Sequence, residues 1–327
     1  MKNKQLNTVE SKIGVLDTSI SSMNVGDYII MDSAYKRINS VFDNAQKVSF
    51  PTHERINRVG FKRQKEIAIN FLCGTNCLNS KMMLHRQWNV GFLNSVFMKD
   101  VITLGVGWQN YQGKPDFYTK TLLKRLLSRD YLHSVRDNYT LEMLQNAGIS
   151  NVINTSCPTM WDLTEEHCAA IPSYKSENVI FTLTDYREDK VKDLELINSL
   201  LKSYNKVYFW VQGSKDYVYF NSFGDVVRDI IVVPPNLYDF DKVLNSNESL
   251  EYIGTRLHAG IRALQKKRRS IIISVDNRAE EKKKDFNLKV IPRDMSSSDY
   301  CKIYSEEFDT KITLPNSEIE KWKTQFK

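Results

Sequence analysis

Short apolar runs alternate along the chain with longer segments whose apolar residues recur every three or four positions. KIGVLDTS (12–19) reads as a buried strand, and GDYIIMDSAYKRINSVF (26–42) as a helix with apolar residues at 29, 30, 34, 38, 41 and 42. Strands are predicted at 46–50, 66–74, 101–107, 131–137 and 152–158, with helices over 117–129 and 139–148. Gly148 stands where a helix C-cap is expected. A polar linker, 164–178, interrupts the rhythm. It resumes with a strand at 178–184, a helix at 189–204, a strand at 206–213 and a helical stretch near 238–246. An apolar run at 250–253, a helix at 258–266, a strand at 270–276 and a terminal helix at 316–327 complete the pattern. Strand–helix alternation of this kind implies parallel sheets covered on both faces. The prediction is an α/β protein of two Rossmann-like domains, 1–170 and 171–327, the second carrying the terminal helix. Two such halves would place a ligand in the cleft between them, near strand carboxyl ends.

Composition narrows this only a little. Of 327 residues, 41% are hydrophobic and 26% charged, which is globular rather than disordered. A net charge of +7 suits a polyanion, an anionic substrate or an anionic membrane surface, and chooses none of them. Five cysteines are scattered, and Cys73 and Cys77 have no second pair or histidine at metal spacing, so no metal site is expected. The opening MKNKQLNTVESK has no apolar run behind its lysines, and no window approaches 18 apolar residues. The expectation is a soluble, reduced, cytoplasmic protein.

The candidate chemistry lies in the turns that follow strands. In MNVGDYII (23–30), Gly26 permits a tight turn and Asp27 is a candidate helix cap. FLCGTNCL (71–78) and GVGWQNY (105–111) each end a strand in glycine; Trp108 and Tyr111 could stack on a sugar ring or be partly buried loop aromatics. In HSVRDNYT (133–140), Arg136 ends a strand just before a helix, placed to bind phosphate or carboxylate or to pair on the surface with Asp137. GTRLHAG (254–260) sets Arg256, always charged, two residues from His258, which titrates near neutrality, at a helix N-terminus with its partial positive charge. Gly254 would keep the approach open, and Leu257 would face the core. The plainer alternative is a helix start with a hydrogen-bonded histidine. QKKRRS (265–270) reads first as a solvated helix end. No P-loop, G-x-S-x-G, H-E-x-x-H or dinucleotide fingerprint appears.

Taken in order, NVGD, GVG-x-Q, SVRD followed by T-x-x-x-L-x-x-x-G, CPTMWDL and GTRLHAG resemble the polysaccharide pyruvyl transferase family, over roughly residues 12–290. The resemblance implies a GT-B-like fold, with two Rossmann-like domains facing across a cleft. It implies phosphoenolpyruvate as donor and a sugar on a glycan or lipid-linked precursor as acceptor, joined as a pyruvate ketal with release of phosphate. Arg256, Arg136 and Gly254 would serve donor binding, His258 the proton transfer, and Asp27 the activation of a sugar hydroxyl. Asn24, Asn76, Trp108 and Gln109 are the expected acceptor contacts. No organic cofactor, metal or nucleic acid is expected; peripheral contact with the inner face of a membrane is compatible. A nucleotide-sugar glycosyltransferase and a non-catalytic glycan-binding protein on the same fold are the alternatives.

Overall fold

The computed structural model describes Leu6, residues 8–98 and residues 100–327. Most of the opening MKNKQLN (1–5 and 7) lies outside the described residues. The chain divides into two compact units: residues up to Ser22 with Ile30–Trp161 and Leu314–Lys327, and Met23–Ile29 with Asp162–Thr313.

The first part of the chain runs β1 (Lys12–Asp17), α1 (Val25–Val41), β2 (Gln46–Pro51), α2 (Arg58–Gln64), β3 (Ile69–Cys73) and β4 (Val101–Leu104). It continues through α3 (Phe117–Leu126), β5 (His133–Val135), α4 (Asn138–Asn146) and β6 (Val152–Asn154). The strands are parallel, in order β2-β1-β3-β4, with β5 and β6 as a further parallel pair. A bridge between Val106 and Val135 and the Gly105 N–H bonded to the Ser134 carbonyl (3.1 Å) join the two sets. Both faces of this sheet are covered, as an all-parallel sheet requires. Ile13, Val15, Phe71 and Ile102 enter one apolar cluster with Ala34, Ile38 and Phe42 of α1. Leu16, Leu72 and Val101, alternate residues of the same strands, enter the other with Leu122 and Leu126 of α3.

The second part begins with α5 (Glu165–Ala169), inside the segment expected to be linker, and then β7 (Asn178–Thr182), α6 (Lys190–Ser203) and β8 (Lys206–Trp210). There follow α7 (Asp216–Asn221), β9 (Ile231–Val233), α8 (Leu237–Leu244), β10 (Leu250–Gly254) and α9 (Leu257–Gln265). β11 (Ser270–Ser274), α10 (Asn277–Phe286), β12 (Val290–Pro292) and α11 (Ser297–Ser305) complete it. The parallel sheet has the order β12-β11-β10-β7-β8-β9. Counted from β7, this is the 3-2-1-4-5-6 arrangement of dinucleotide-binding folds, whose order reverses between β7 and β10. β9 and β12 were not anticipated from the apolar runs. Each spans three residues, and two of the three in β9 are exposed, so no buried run marks it.

The terminal helix, α12 (Asn316–Thr324), corrects the expected domain division: it belongs to the first unit, and the second unit takes over at Asp162 rather than 171. Ile319, Trp322 and Phe326 lie at i, i+3 and i+7, which puts them on one helical face. Trp322 meets Phe71 (5.8 Å between ring centroids) and Trp161 (5.7 Å), and Phe326 meets Phe42 (5.1 Å). Trp322→Ala should therefore destabilise the first unit by about 3–5 kcal/mol, read from the denaturant midpoint; a loss confined to unfolding of the second unit would contradict this packing.

His133 supplies a pH-dependent component of stability. Its Nε2 donates to the Ser128 carbonyl (2.8 Å) and its Nδ1 accepts the Thr103 N–H (3.3 Å), which satisfies the neutral ring. Burial pushes the imidazole down to about 4, against a smaller opposing pull from the Ser128 carbonyl. The unfolded chain, titrating near 6.5, binds this proton more tightly than the folded one. The contribution is complete above the unfolded value and is lost as pH falls toward 4, by roughly 3 kcal/mol. Unfolding free energies measured at neutral pH and near pH 4 should show that slope, and His133→Gln should lack it.

Candidate active site at the switch point of the second sheet

The carboxyl ends of β7 and β10 are where the strand order of the second unit reverses, the place where open α/β sheets bind ligands. The two ends are cross-linked. The Thr255 N–H bonds the Thr182 carbonyl (3.2 Å), the Arg256 N–H bonds Thr182 Oγ1 (3.2 Å), and the Thr184 and Thr255 hydroxyls meet at 2.8 Å. Tyr252 Oη lies 2.6 Å from Thr182 Oγ1 and donates to the Arg256 carbonyl (2.8 Å). A Cβ at Gly254 would stand 2.6 Å from Thr182 Oγ1 and 2.7 Å from the Thr182 nitrogen. Gly254 thus serves the packing of β10 on β7, not an open approach to the helix.

Arg256 is only 4% exposed. Its Nε donates to the Leu183 carbonyl (3.0 Å), and its Nη2 to Asp185 Oδ1 (2.8 Å) and to Asp216. The guanidinium also lies over the Tyr186 ring, 5.0 Å from its centroid. Among the described residues, Nη1 is the guanidinium nitrogen with no hydrogen-bond partner. Burial by itself would weaken the charged form, but Asp216, Tyr186 and Asp185 together hold the guanidinium above its ordinary value. Burial in turn pushes the Asp216 carboxyl up, against the pull of Arg256. Gly213 makes this pairing fit: a Cβ there would be 2.4 Å from Arg256 Nη2, and its N–H donates to Asp216 Oδ2 (2.7 Å). The expected anion clamp is therefore a guanidinium already held by two carboxylates, with one edge to spare.

α9 starts immediately afterwards. Arg256 is its N-cap residue and makes no side-chain cap, and the first turn carries the positive end of the helix dipole. His258, the second residue of α9, is buried in that turn, and Leu257 faces the core as expected. Gly260 lets the helix sit close on β11, since a Cβ would be 2.6 Å from Ile272 Cγ1. The basic run after α9 departs from the solvated reading. Arg268 donates to the carbonyls of Leu244 (2.7 Å) and Glu248 (2.9 Å), and Arg269 is fully buried against Glu251 and the Glu306 carbonyl (2.8 Å).

The start of α1 is built by Asn24 rather than Asp27. Asn24 Oδ1 accepts the Gly26 N–H (3.1 Å) and Gln212 Nε2 (2.8 Å), and the Val25 N–H bonds the Gln212 carbonyl (2.9 Å). Asp27 is the third helical residue, buried, where a carboxylate complements the dipole.

In the first unit, Arg136 and Asn76 are brought together. Arg136 Nη2 donates to Asn76 Oδ1, and Nε to Asp137 Oδ2 (3.1 Å), a pair that is buried rather than on the surface. Asp137 also caps α4 by accepting the Thr140 N–H (2.8 Å). Gly107 leaves room for the guanidinium, since a Cβ would stand 2.1 Å from Nε. Trp108 is no sugar platform. It is buried in the core with Leu78 and Leu122, its Nε1 donating to Ser80 Oγ and Gln112 Oε1, both at 3.2 Å. Gln109, half-buried, accepts from Asn79 (2.8 Å).

Asp185, Tyr186, Gln212 and Asp216 were missed by reading motifs. Gly213 three residues before Asp216, just past a strand, was the only local hint. Arg256→Ala would leave two carboxylates facing each other without their cation. The expected cost is about 3–5 kcal/mol of stability, measured by urea unfolding, with part of it recovered in Arg256→Ala/Asp216→Asn. Unchanged stability would mean that Arg256 serves a ligand only.

Comparison with known proteins agrees with this fold. The UDP-GlcNAc 2-epimerase of Methanocaldococcus jannaschii, solved with UDP-GlcNAc and UDP, is similar over 96% of this chain and 98% of its own, with TM-score 0.53 and 9% identity. The Neisseria meningitidis UDP-GlcNAc 2-epimerase (97% and 94% covered, TM-score 0.49, 9% identity) and Arabidopsis thaliana UGT89C1 (97% and 92%, 0.47, 9%) are further matches. At these identities the likeness speaks to fold alone: two Rossmann-like domains of the GT-B type. Comparison with curated protein sequences gives no significant match. The family model for polysaccharide pyruvyl transferases matches residues 24–277, a span that holds Arg136 and the whole β10–α9 turn, and the chain belongs to that family.

Proposed function

We propose that the protein transfers the pyruvyl group of phosphoenolpyruvate to two hydroxyls of one sugar, on a cell-surface polysaccharide or its precursor, forming a ketal and releasing phosphate. The observation that carries this reading is the N-terminus of α9 at the sheet's switch point, with Arg256 at its cap position and His258 in its first turn. A helix N-terminus of this kind is a ready site for a phosphate or carboxylate. Arg256 would add Nη1, its other contacts holding it in place without rearrangement.

The chemistry balances without a redox partner. One proton goes to the methylene carbon, which becomes methyl and leaves C2 as an oxocarbenium-like electrophile. A sugar hydroxyl adds to C2, the C2–O bond to phosphate breaks, and the second hydroxyl closes the ketal. Of the two hydroxyl protons, one replaces that given to carbon and the other leaves with phosphate. His258 is our candidate for the acid, and Asp27 for the base. Arg136 with Asn76 are candidate ligand contacts of the first unit. The reading requires no metal or organic cofactor beyond phosphoenolpyruvate itself.

Thermal unfolding with and without phosphoenolpyruvate tests this directly. Stabilisation should approach about 2.7 kcal/mol when the ligand is a hundredfold above its Kd. His258→Gln should keep the fold and lower phosphate release in the presence of acceptor by ~10²–10⁴-fold. No stabilisation by phosphoenolpyruvate, with stabilisation by a nucleotide sugar, would sink the proposal in favour of a glycosyltransferase.

A further inference from the structure

We infer that the first unit docks on an anionic lipid bilayer through the surface formed by α2, the segment leading into it, and the 83–97 loop. The three pieces form one surface. His53 Nδ1 meets the Gln87 carbonyl at 2.6 Å, Asn89 donates to the Thr52 and His53 carbonyls (2.8 and 3.2 Å), and Phe61 of α2 packs on Phe97 at 5.2 Å. Large apolar side chains stand in solvent along it: Leu93 is 85% exposed, Leu84 68%, Val59 56%, Met83 53% and Val96 49%.

Interleaved with them are exposed cations. Arg55, Arg58, Lys62, Arg63, Lys65 and Arg86 all face solvent. Residues 54–98 hold seven basic residues against two acidic ones, Glu54 and Glu66, and Glu66 is paired with Lys12 outside the strip. An apolar patch alone would suit many partners, but its intimate mixing with cations selects a surface that is negatively charged and has an apolar layer just beneath. A bilayer with anionic headgroups has both, the cations meeting phosphate and the apolar side chains entering the acyl boundary. None of these residues belongs to the candidate active site, so the inference stands apart from the donor reading.

Co-sedimentation of the full chain with vesicles is the test. Wild-type protein should pellet with vesicles of phosphatidylcholine mixed with phosphatidylglycerol, pellet little with phosphatidylcholine alone, and bind less as salt rises. Each cation near the surface accounts for about fivefold in partitioning, so Arg58→Glu/Lys62→Glu/Arg63→Glu should weaken binding by roughly a hundredfold or more. Leu84→Ser/Leu93→Ser, which touch no core cluster, should weaken it by roughly tenfold or more at unchanged thermal stability. Failure to bind anionic vesicles, or wild-type binding by both variants, would overturn the inference. Retention on an acidic polymer with no vesicle binding would overturn it equally.

Discussion

A guanidinium removed from water must find opposite charge, and Arg256 meets that demand at the carboxyl edge of the second sheet. Its partners come from two connections, Asp185 and Leu183 after β7 and Asp216 past β8, while its own N–H, after β10, bonds the Thr182 hydroxyl. One buried cation therefore ties together the loops that any ligand at the switch point would touch. The absence of a side chain at Gly213 is part of the same device, because a methyl there would displace the guanidinium, and one at Gly254 would displace the Thr182 hydroxyl that bonds the Arg256 N–H. On the proposed function, donor binding and stability would share these residues, which makes removing the arginine a poor isolated probe of ligand binding and the histidine beside it a better one.

What this arrangement offers is preorganisation. A free arginine on a loop would lose side-chain entropy on meeting a ligand, whereas one already fixed by a carbonyl and two carboxylates has little left to lose. The cost is local charge: with Asp185 and Asp216 both near, the guanidinium no longer presents a net positive field. The attraction for an anion shifts to the amino end of α9, where the Arg256 side chain makes no cap and the helix dipole is positive. Arg136 in the first unit repeats the logic, held by Asp137 and Asn76 over the bare backbone of Gly107. Elsewhere the same rule is purely architectural. Arg269 with Glu251, a buried pair, and half-buried Arg293 with buried Asp193 fasten strands and helices and lie outside the candidate site.

Local pattern carried much of the architecture. Continuous apolar runs such as Ile69–Cys73 and Ser270–Ser274 announce strands buried on both faces, and the 3.6-residue rhythm of 26–42 announces α1 to within one residue at each end. These signals are legible because burial of a regular element is imposed on neighbouring residues, so it is written over a few positions. The family and its GTRLHAG turn were legible for a related reason: the turn places its arginine and histidine within one contiguous stretch of chain.

Other features depend on which distant residues meet, and periodicity holds no record of that. Asp185 and Asp216 lie 71 and 40 residues from Arg256, and only the strand order brings them to it. Trp108 looks like a loop aromatic in sequence and is core in the structure, because the first sheet and α3 close over it. The terminal helix could have covered either half by its pattern; Trp322 and Phe326 find Phe71 and Phe42, and so it completes the first. The sequence by itself determined most of the buried strands, the longest helices, the glycine turns and the family; short helices such as α2 and α7, and α10 and α11, were not legible in it. Tertiary structure decided which charges are spent on each other and which helix end stands at the switch point, because pairing energies are settled by proximity in space and not along the chain.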